Sequence, residues 1–240
     1  MRRALALGLG LAALAACASR PPAAERGDVM QRILPSTVQL RAEVAGGARR
    51  MGSGVVIAAD RGGARSWIVT TRHVLSATGE QQISVGVPGR RGRLKAEVVA
   101  VNDEADLALV MISGLALPPV TLQETVGLGD EVWVVGFPWG RRLTVVSGVV
   151  SQIAGSDGEI ALTGAARMID ASVSYGASGG GVFHAPTGTL IAIVEGYRTA
   201  RITLQTVPEK VVDVPVPGET TVISAAAIRR FLGGAGIGPH

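Results

Sequence analysis

Ser174-Tyr175-Gly176-Ala177-Ser178-Gly179-Gly180-Gly181 sets one serine inside a run of glycines. A serine hydroxyl is a weak nucleophile by itself. It needs a base beside it and donors for the oxyanion that its attack creates. Glycines on both sides of Ser178 let the backbone turn sharply, so that N–H groups can converge on one point. Taken alone, the same letters describe an ordinary glycine turn with an incidental serine. The residues upstream decide between the two.

His73 ends the apolar run Trp67-Ile68-Val69-Thr70-Thr71-Arg72. Imidazole titrates near neutrality, which suits a group that must both take and return a proton. Of the other two histidines, His184 follows the serine turn too closely to replace His73, and His240 is the last residue. No second histidine or cysteine stands at metal-ligand spacing from His73. Three acids precede the apolar run Leu107-Ala108-Leu109-Val110: Asp103, Glu104 and Asp106. On chemistry alone any of them can orient an imidazole and stabilise its cation.

In order and in local pattern these segments resemble the trypsin-like serine proteases, and among them the HtrA/Deg family. The resemblance rests on five ordered stretches: Gly52-Ser53-Gly54-Val55-Val56-Ile57, the His73 run, Asp103 to Val110, Leu128 to Gly140, and the Ser178 turn. It covers about residues 36–232. It implies an all-β, chymotrypsin-like fold of two six-stranded antiparallel β-barrels with a C-terminal helix. It also implies His73 as general base and Ser178 as nucleophile. Asp106 becomes the orienting acid, because it stands immediately before the apolar strand, and Asp103 and Glu104 become turn residues. Backbone N–H groups of Gly176 and Ser178, helped by Ala177, are the implied oxyanion donors. Ser172, six residues before the serine, falls at the pocket base. It is neutral and flanked by Ala171 and Val173, so small or medium aliphatic side chains are expected there. Asp170 is expected to be a structural hydrogen-bonding residue. Substrate backbone is expected along Val194-Glu195-Gly196. Two positions depart from the family pattern: Tyr175 and Gly181 both stand where proline is usual, and Tyr175 is expected to shape the cleft.

The remaining chain fits one protease domain over 29–232: an N-terminal barrel at about 36–112, a C-terminal barrel at about 120–223, a helix at 224–232 and a tail at 233–240. Expected strands are Ser36–Val44, Gly52–Ala58, Trp67–Thr71, Ile83–Val87, Leu94–Val101 and Leu107–Ile112, with a turn at Gly46–Met51. In the second half they are Val132–Gly136, Leu143–Ile153, Glu159–Thr163, Met168–Val173, Gly180–Phe183 and Leu190–Glu195. Short strands at such spacing indicate a sandwich or barrel. Ser224 is a good N-cap for the helix. Arg201–Thr221, Val-rich with Pro208, Pro215 and Pro217, fits no family element and is expected to be an irregular or hairpin insertion near the pocket.

Residues 1–16 read as a leader. Arg2-Arg3 is basic and Ala4–Ala16 apolar, and thirteen helical residues span about 20 Å, short of the ~30 Å membrane core. Leu14-Ala15-Ala16-Cys17 resembles a bacterial lipobox, which implies lipid attachment at Cys17 and anchoring to the outer membrane. Residues 17–28 are a Pro/Ala-rich tether. Cys17 is the one cysteine in 240 residues, so an intramolecular disulfide is excluded. Formal charge is +4 with Arg2 and Arg3 counted; without them 21 basic residues face the 19 acids. Scattered basic residues and 3% aromatics argue against a nucleic-acid surface. Arg90, Arg91, Arg93 and Lys95 read as a solvated hairpin. The expected partners are polypeptide substrates and the membrane, with a homo-oligomer open, and no cofactor is implied. No PDZ module is expected after the helix. The reading is a lipid-anchored serine endopeptidase of the bacterial envelope that cleaves unfolded or envelope proteins. Its competitors are a catalytically silent, chaperone-like binding protein on the same fold and an esterase-type acyl hydrolase.

Overall fold

Thr37–Val44 (β1) alternates as a half-buried strand should, with Val38, Leu40 and Ala42 inward and Gln39, Arg41 and Glu43 partly exposed. In the computed structural model, which describes residues 26–44, 47–75, 81–155, 160–205 and 210–237, β1 opens a closed six-stranded antiparallel barrel. The leader, Cys17 and His240 lie outside the described residues. The barrel continues with β2 (Arg49–Asp60), β3 (Arg65–Thr71), β4 (Gln81–Gly86), β5 (Leu94–Asn102) and β6 (Leu107–Ser113), in the order β1-β2-β3-β6-β5-β4. Arg49–Met51, expected in a turn, already belongs to β2. The ladder to β1 requires it, since Glu43 faces Arg49 and Arg41 faces Met51.

The second half carries β7 (Val126–Gly127), β8 (Glu131–Gly136), β9 (Thr144–Ile153), β10 (Thr163–Gly164), β11 (Ala166–Asp170), β12 (Gly181–His184), β13 (Leu190–Leu204) and β14 (Lys210–Ser224). Six of these close a second barrel in the order β11-β14-β13-β12-β8-β9. The sixth strand is not the expected Glu159–Thr163. Within that stretch Ile160 is 93% and Leu162 70% exposed, and only Thr163 reaches a strand, in the two-stranded sheet of β10 with β7. The place is taken by β14, from the segment that matched no family element. β13 likewise runs on past Glu195 to Leu204, and the two form one long antiparallel pair.

Three apolar clusters hold this together. One fills the first barrel around Leu40, Ile68, Val110 and Ile112. One fills the second around Val134, Ile169, Val182 and Ile191. The third joins Val55, Val69, Leu107 and Leu109 of the first barrel to Val135, Phe183, Leu190 and Ile193 of the second. Strands that line both a barrel and this shared core are buried on both faces, as β2 is from Gly52 to Ala58. That is why these stretches read as unbroken runs of small and apolar residues rather than as alternation.

Two helices seal the shared core. α1 (Arg26–Ile33) inserts Val29 and Ile33. α2 (Ala225–Gly234) starts at Ser224, whose Oγ accepts from Ala227 N at 3.3 Å, and buries Ile228, Phe231 and Leu232. Each such side chain contributes roughly 1.5–3 kcal/mol of transfer free energy.

Candidate active site

β3 delivers His73. After Thr71 the chain makes a single 3₁₀ turn, Arg72–Val74, closed by Leu75 N donating to Arg72 O at 3.0 Å. Arg50 holds that turn from β2: its guanidinium donates to His73 O at 2.8 Å and to Leu75 O at 3.2 Å. Gly52 lies beneath it. A Cβ there would stand 2.6 Å from both γ-methyls of Val74, so the His73 turn sits this low only over glycine.

Asp106 comes from the turn between β5 and β6. Asn102 Oδ1 accepts from Ala105 N at 2.9 Å and shapes the turn. Asp106 itself has φ of 51°, a left-handed backbone that a residue with a Cβ adopts at some cost. The result is a three-point match to the His73 turn. Arg72 N donates to Asp106 O at 2.9 Å. His73 N donates to Asp106 Oδ1 at 2.8 Å. The His73 ring meets Asp106 Oδ2 through Nδ1 at 2.6 Å. Asp103 pairs instead with Arg72 at 2.9 Å, and Glu104 is exposed. Of the three acids that sequence chemistry left open, Asp106 is the one against the imidazole. His184 is engaged elsewhere, with Nδ1 on Thr187 Oγ1 at 2.9 Å.

Ser178 sits on the second barrel. Its turn is closed by Ala177 N to Ser174 O at 3.0 Å and Gly180 N to Ala177 O at 2.8 Å, with Gly176 at φ +88° and Gly179 at φ +79°. Ser53 of β2 ties this turn to the first barrel. Its N–H donates to Ser178 O at 2.8 Å. Its buried hydroxyl donates to Gly176 O at 2.9 Å and accepts from Phe137 N at 2.8 Å. Its carbonyl accepts from Thr70 Oγ1 at 2.7 Å, three residues before His73. Gly179 packs against the same two residues: a Cβ on it would lie 2.2 Å from Ser53 O and 2.3 Å from Thr70 Oγ1. Ser53 was visible in the sequence only as a letter in a motif. Nothing local to it signals a four-way junction.

His73 Nε2 and Ser178 Oγ are not hydrogen-bonded to each other, and neither has another partner among the described residues. The His73 side chain is 49% exposed and the Asp106 side chain 25%. The N–H groups of Gly176 and Ser178 donate no hydrogen bond among the described residues. The expectation for Ala177 needs correction: its N–H is occupied by Ser174 O. Tyr175 is exposed, and its carbonyl accepts from Trp139 N at 2.6 Å while the two rings meet at 5.7 Å, tilted by 40°. A trans peptide directs its N–H opposite to its C=O. Gly176 N–H therefore points away from Trp139.

Ser172 lies on a cavity of about 160 Å³ whose other walls are Ala171, Val173, Tyr197, Pro215–Gly218 and Thr220. None of these residues is charged. Four residues of β14, 216–219, bulge out opposite the single Arg198 of β13 and wrap the cavity. The expectation of an insertion near the pocket matches this, but the individual β14 walls are not readable from sequence, because their contribution depends on a pairing with β13 across the chain. Asp170 differs from expectation: its exposed carboxylate makes no hydrogen bond or ion pair among the described residues. The expected edge at Val194-Glu195-Gly196 is also shorter than thought. Val194 N donates to Gly180 O and Val194 O accepts from Gly179 N, both at 2.8 Å, so the open edge starts after Val194. Arg93, expected in a solvated cluster, is partly buried and bonded to Ser84 Oγ at 2.9 Å and to the Gln39 side chain; burial holds its pKa below the ordinary arginine value. Gln39 passes this on to the loop beside Trp139, donating to Gly140 O at 3.0 Å.

The fold, two closed six-stranded antiparallel barrels with a C-terminal helix, is that of the chymotrypsin-like peptidases. A trypsin-like peptidase domain family matches residues 52–193, and the chain belongs to that family. Within it the chain is similar to the HtrA/Deg proteases. It is 30% identical over 174 residues to the serine endoprotease DegS of Salmonella typhimurium, which covers 69% of this chain and 44% of the relative. It is 32% identical over 148 residues to the periplasmic pH-dependent serine endoprotease DegQ of Escherichia coli, covering 60% and 30%. The chain thus spans less than half the length of these curated relatives. Among solved structures it is similar to a serine endoprotease from Yersinia pestis, with a TM-score of 0.66, 24% identity, and coverage of 88% of this chain and 66% of the other. An HtrA-type protease with a tripeptide gives 0.68 at 23% identity, covering 88% and 63%.

Proposed function

We propose that this chain is a serine endopeptidase that cleaves polypeptides through an acyl-enzyme on Ser178. The observation that carries the reading is the double hold of Asp106 on His73, at ring and backbone, which leaves Nε2 as the ring's free nitrogen. Asp106 fixes the tautomer with the proton on Nδ1. Nε2 then takes the Ser178 Oγ proton as Oγ bonds to the scissile carbonyl carbon, and returns it to the leaving amine. Water repeats the sequence to release the acid. The negative oxygen forms against the unoccupied N–H groups of Gly176 and Ser178; one such donor is worth about 3–4 kcal/mol in the transition state. The Nε2–Oγ hydrogen bond forms as substrate enters, since such bonds are often long in an unliganded site.

The uncharged walls around Ser172 favour small or medium aliphatic side chains before the scissile bond. The periplasmic naming of the DegQ relative supports a place in the bacterial envelope, and the leader pattern supports Cys17 as a lipid-bearing anchor. Unfolded or envelope proteins are the fitting substrates, because strand addition along the cleft recognises backbone rather than sequence.

An organophosphorus fluorophosphonate probe tests the reaction. It is expected to label wild type at Ser178, and to fail on Ser178→Ala and, by several orders of magnitude in rate, on His73→Ala. One observation favours a second reading: the missing hydrogen bond between His73 and Ser178 also suits a catalytically silent binding protein. Wild type that stays unlabelled with peptide substrate and membrane present, while Ser178→Ala keeps its cellular role, would establish that reading instead.

A further inference from the structure

β13 does not end with the barrel. β12 pairs with it only from Leu190 to Ile193, and Gly179 and Gly180 then take Val194. From Glu195 to Leu204, about 30 Å at ~3.3 Å per residue, β13 pairs on one side with β14 and on the other with no described residue. The two free edges of this ribbon differ. β14 carries Pro215 and Pro217 at its barrel end, which lack the N–H that an added strand needs, while 210–214 carries no proline. β13 carries no proline from Glu195 to Leu204. The β14 edge is thus interrupted at the barrel end, beside the cleft, whereas β13 is open along its whole length.

The faces differ as well. Ala200 faces Val214 and Ile202 faces Val212, so these side chains share one face with Leu204. Ile202, Leu204, Val212 and Val214 are 39–44% exposed. The other face carries Arg201 paired with Asp213 at 3.3 Å. A two-stranded ribbon of this kind is only marginally stable by itself, and its apolar face is partly exposed among the described residues.

We propose that the open edge of β13, from Glu195 to Leu204, is an extended binding track for substrate polypeptide. This rests on the endopeptidase reading above. The occupant follows from continuity: the edge begins where Gly179 and Gly180 release β13, beside Ser178, and Tyr197 lines the cavity on Ser172. Antiparallel addition, the pairing used throughout this barrel, carries residues N-terminal to the scissile bond outward along β13. Side chains at every second position of the bound chain then lie beside Ala200, Ile202 and Leu204 on the same face and extend its apolar surface. The track selects long, extended polypeptides with alternating apolar residues upstream of the cut, the pattern of an unfolded β-strand.

The test uses the whole chain and fluorogenic peptides with one common scissile segment. These carry no extension, a short one, or a long one of alternating valine and threonine, placed N-terminally or, as a control, C-terminally. In wild type the long N-terminal extension is expected to raise kcat/KM at least about tenfold, the product of several modest backbone hydrogen bonds. The C-terminal control is expected to leave it unchanged. A second protein replaces residues 200–214 by a tight turn between the register partners Thr199 and Pro215. It is expected to cleave the unextended peptide at the wild-type rate and to lose the gain. Equal kcat/KM at all lengths in wild type, or a gain that survives ribbon removal, overturns the track. A concentration-dependent dimer that disappears with the ribbon, with no effect of peptide length, assigns the edge to a second copy instead. Failure of the endopeptidase reading looks different: no peptide is cut and Ser178 is not labelled. Fluorescence anisotropy on Ser178→Ala then decides the track by itself, through tighter binding of the long peptide with the ribbon than without it.

Discussion

The two barrels hold their halves of the site by different means. The first holds a side chain. His73 is set by a carboxylate on its ring, the same carboxylate on its backbone, and Arg50 on its carbonyl, and the acid accepts a left-handed backbone to be there. The second holds backbone. The Ser178 turn is built from glycines and peptide hydrogen bonds, and its main tie to the rest is Ser53. The difference fits the chemistry proposed for each half. An imidazole must present one nitrogen in one tautomer, which a fixed charge achieves. An oxyanion cup needs N–H groups left unsatisfied, which only a turn stabilised through its carbonyls and neighbours can provide.

Three substitutions probe that contrast. Asp106→Asn strikes the charge-held half. It is expected to lower kcat by about 10⁴ through the wrong imidazole tautomer. Its circular dichroism and melting temperature should stay near wild type, because the amide can still accept from His73 N. A loss below about tenfold would mean that the acid does not orient His73. Ser53→Ala strikes the backbone-held half. It leaves buried Phe137 N without its partner and releases Gly176 O, at a cost of about 1–3 kcal/mol. At about 2–4 °C per kcal/mol for a domain of this size, the melting temperature should fall by several degrees. kcat should fall with it, by roughly tenfold, and KM for a short peptide should change less. If kcat falls as far as for Asp106→Asn, the two halves are not separate. Asp60→Asn is the smallest test and touches neither half. Asp60 is held below the ordinary carboxylate pKa by the Arg65 side chain and then by Gly63 N–H, in the β2–β3 hairpin. A depressed folded pKa contributes stability above the unfolded value and loses it as pH falls through the folded one. The variant should show a slightly lower urea midpoint at neutral pH and no difference in strong acid, with kcat unchanged at both barrels' shared site.

Much of the fold can be read from local pattern. Val38, Leu40 and Ala42 alternate on β1, and Ser224 with the apolar face behind it marks α2. The strand that pattern misplaced is instructive. Glu159–Thr163 alternates as well as many true strands, yet Ile160 and Leu162 point into solvent. The strand that closes the barrel is valine-rich and broken by Pro215 and Pro217, which argue against a central strand when read alone. It is tolerated because those prolines fall outside the barrel, where β14 faces only β13.

Sequence alone determined the residue types and their order along the chain: a histidine after one apolar run, an acid before another, and a serine among glycines. Periodicity and turn chemistry act over a few neighbours, so such features survive without the fold. Tertiary structure decided which acid lies on the imidazole, that Ser53 joins the two barrels, that Ala177 N–H is already occupied, and that β14 walls the Ser172 cavity. Each of these is a meeting between segments tens of residues apart. Pairing at that range is set by the closure of whole barrels and the burial of their shared core, which no window of the sequence contains.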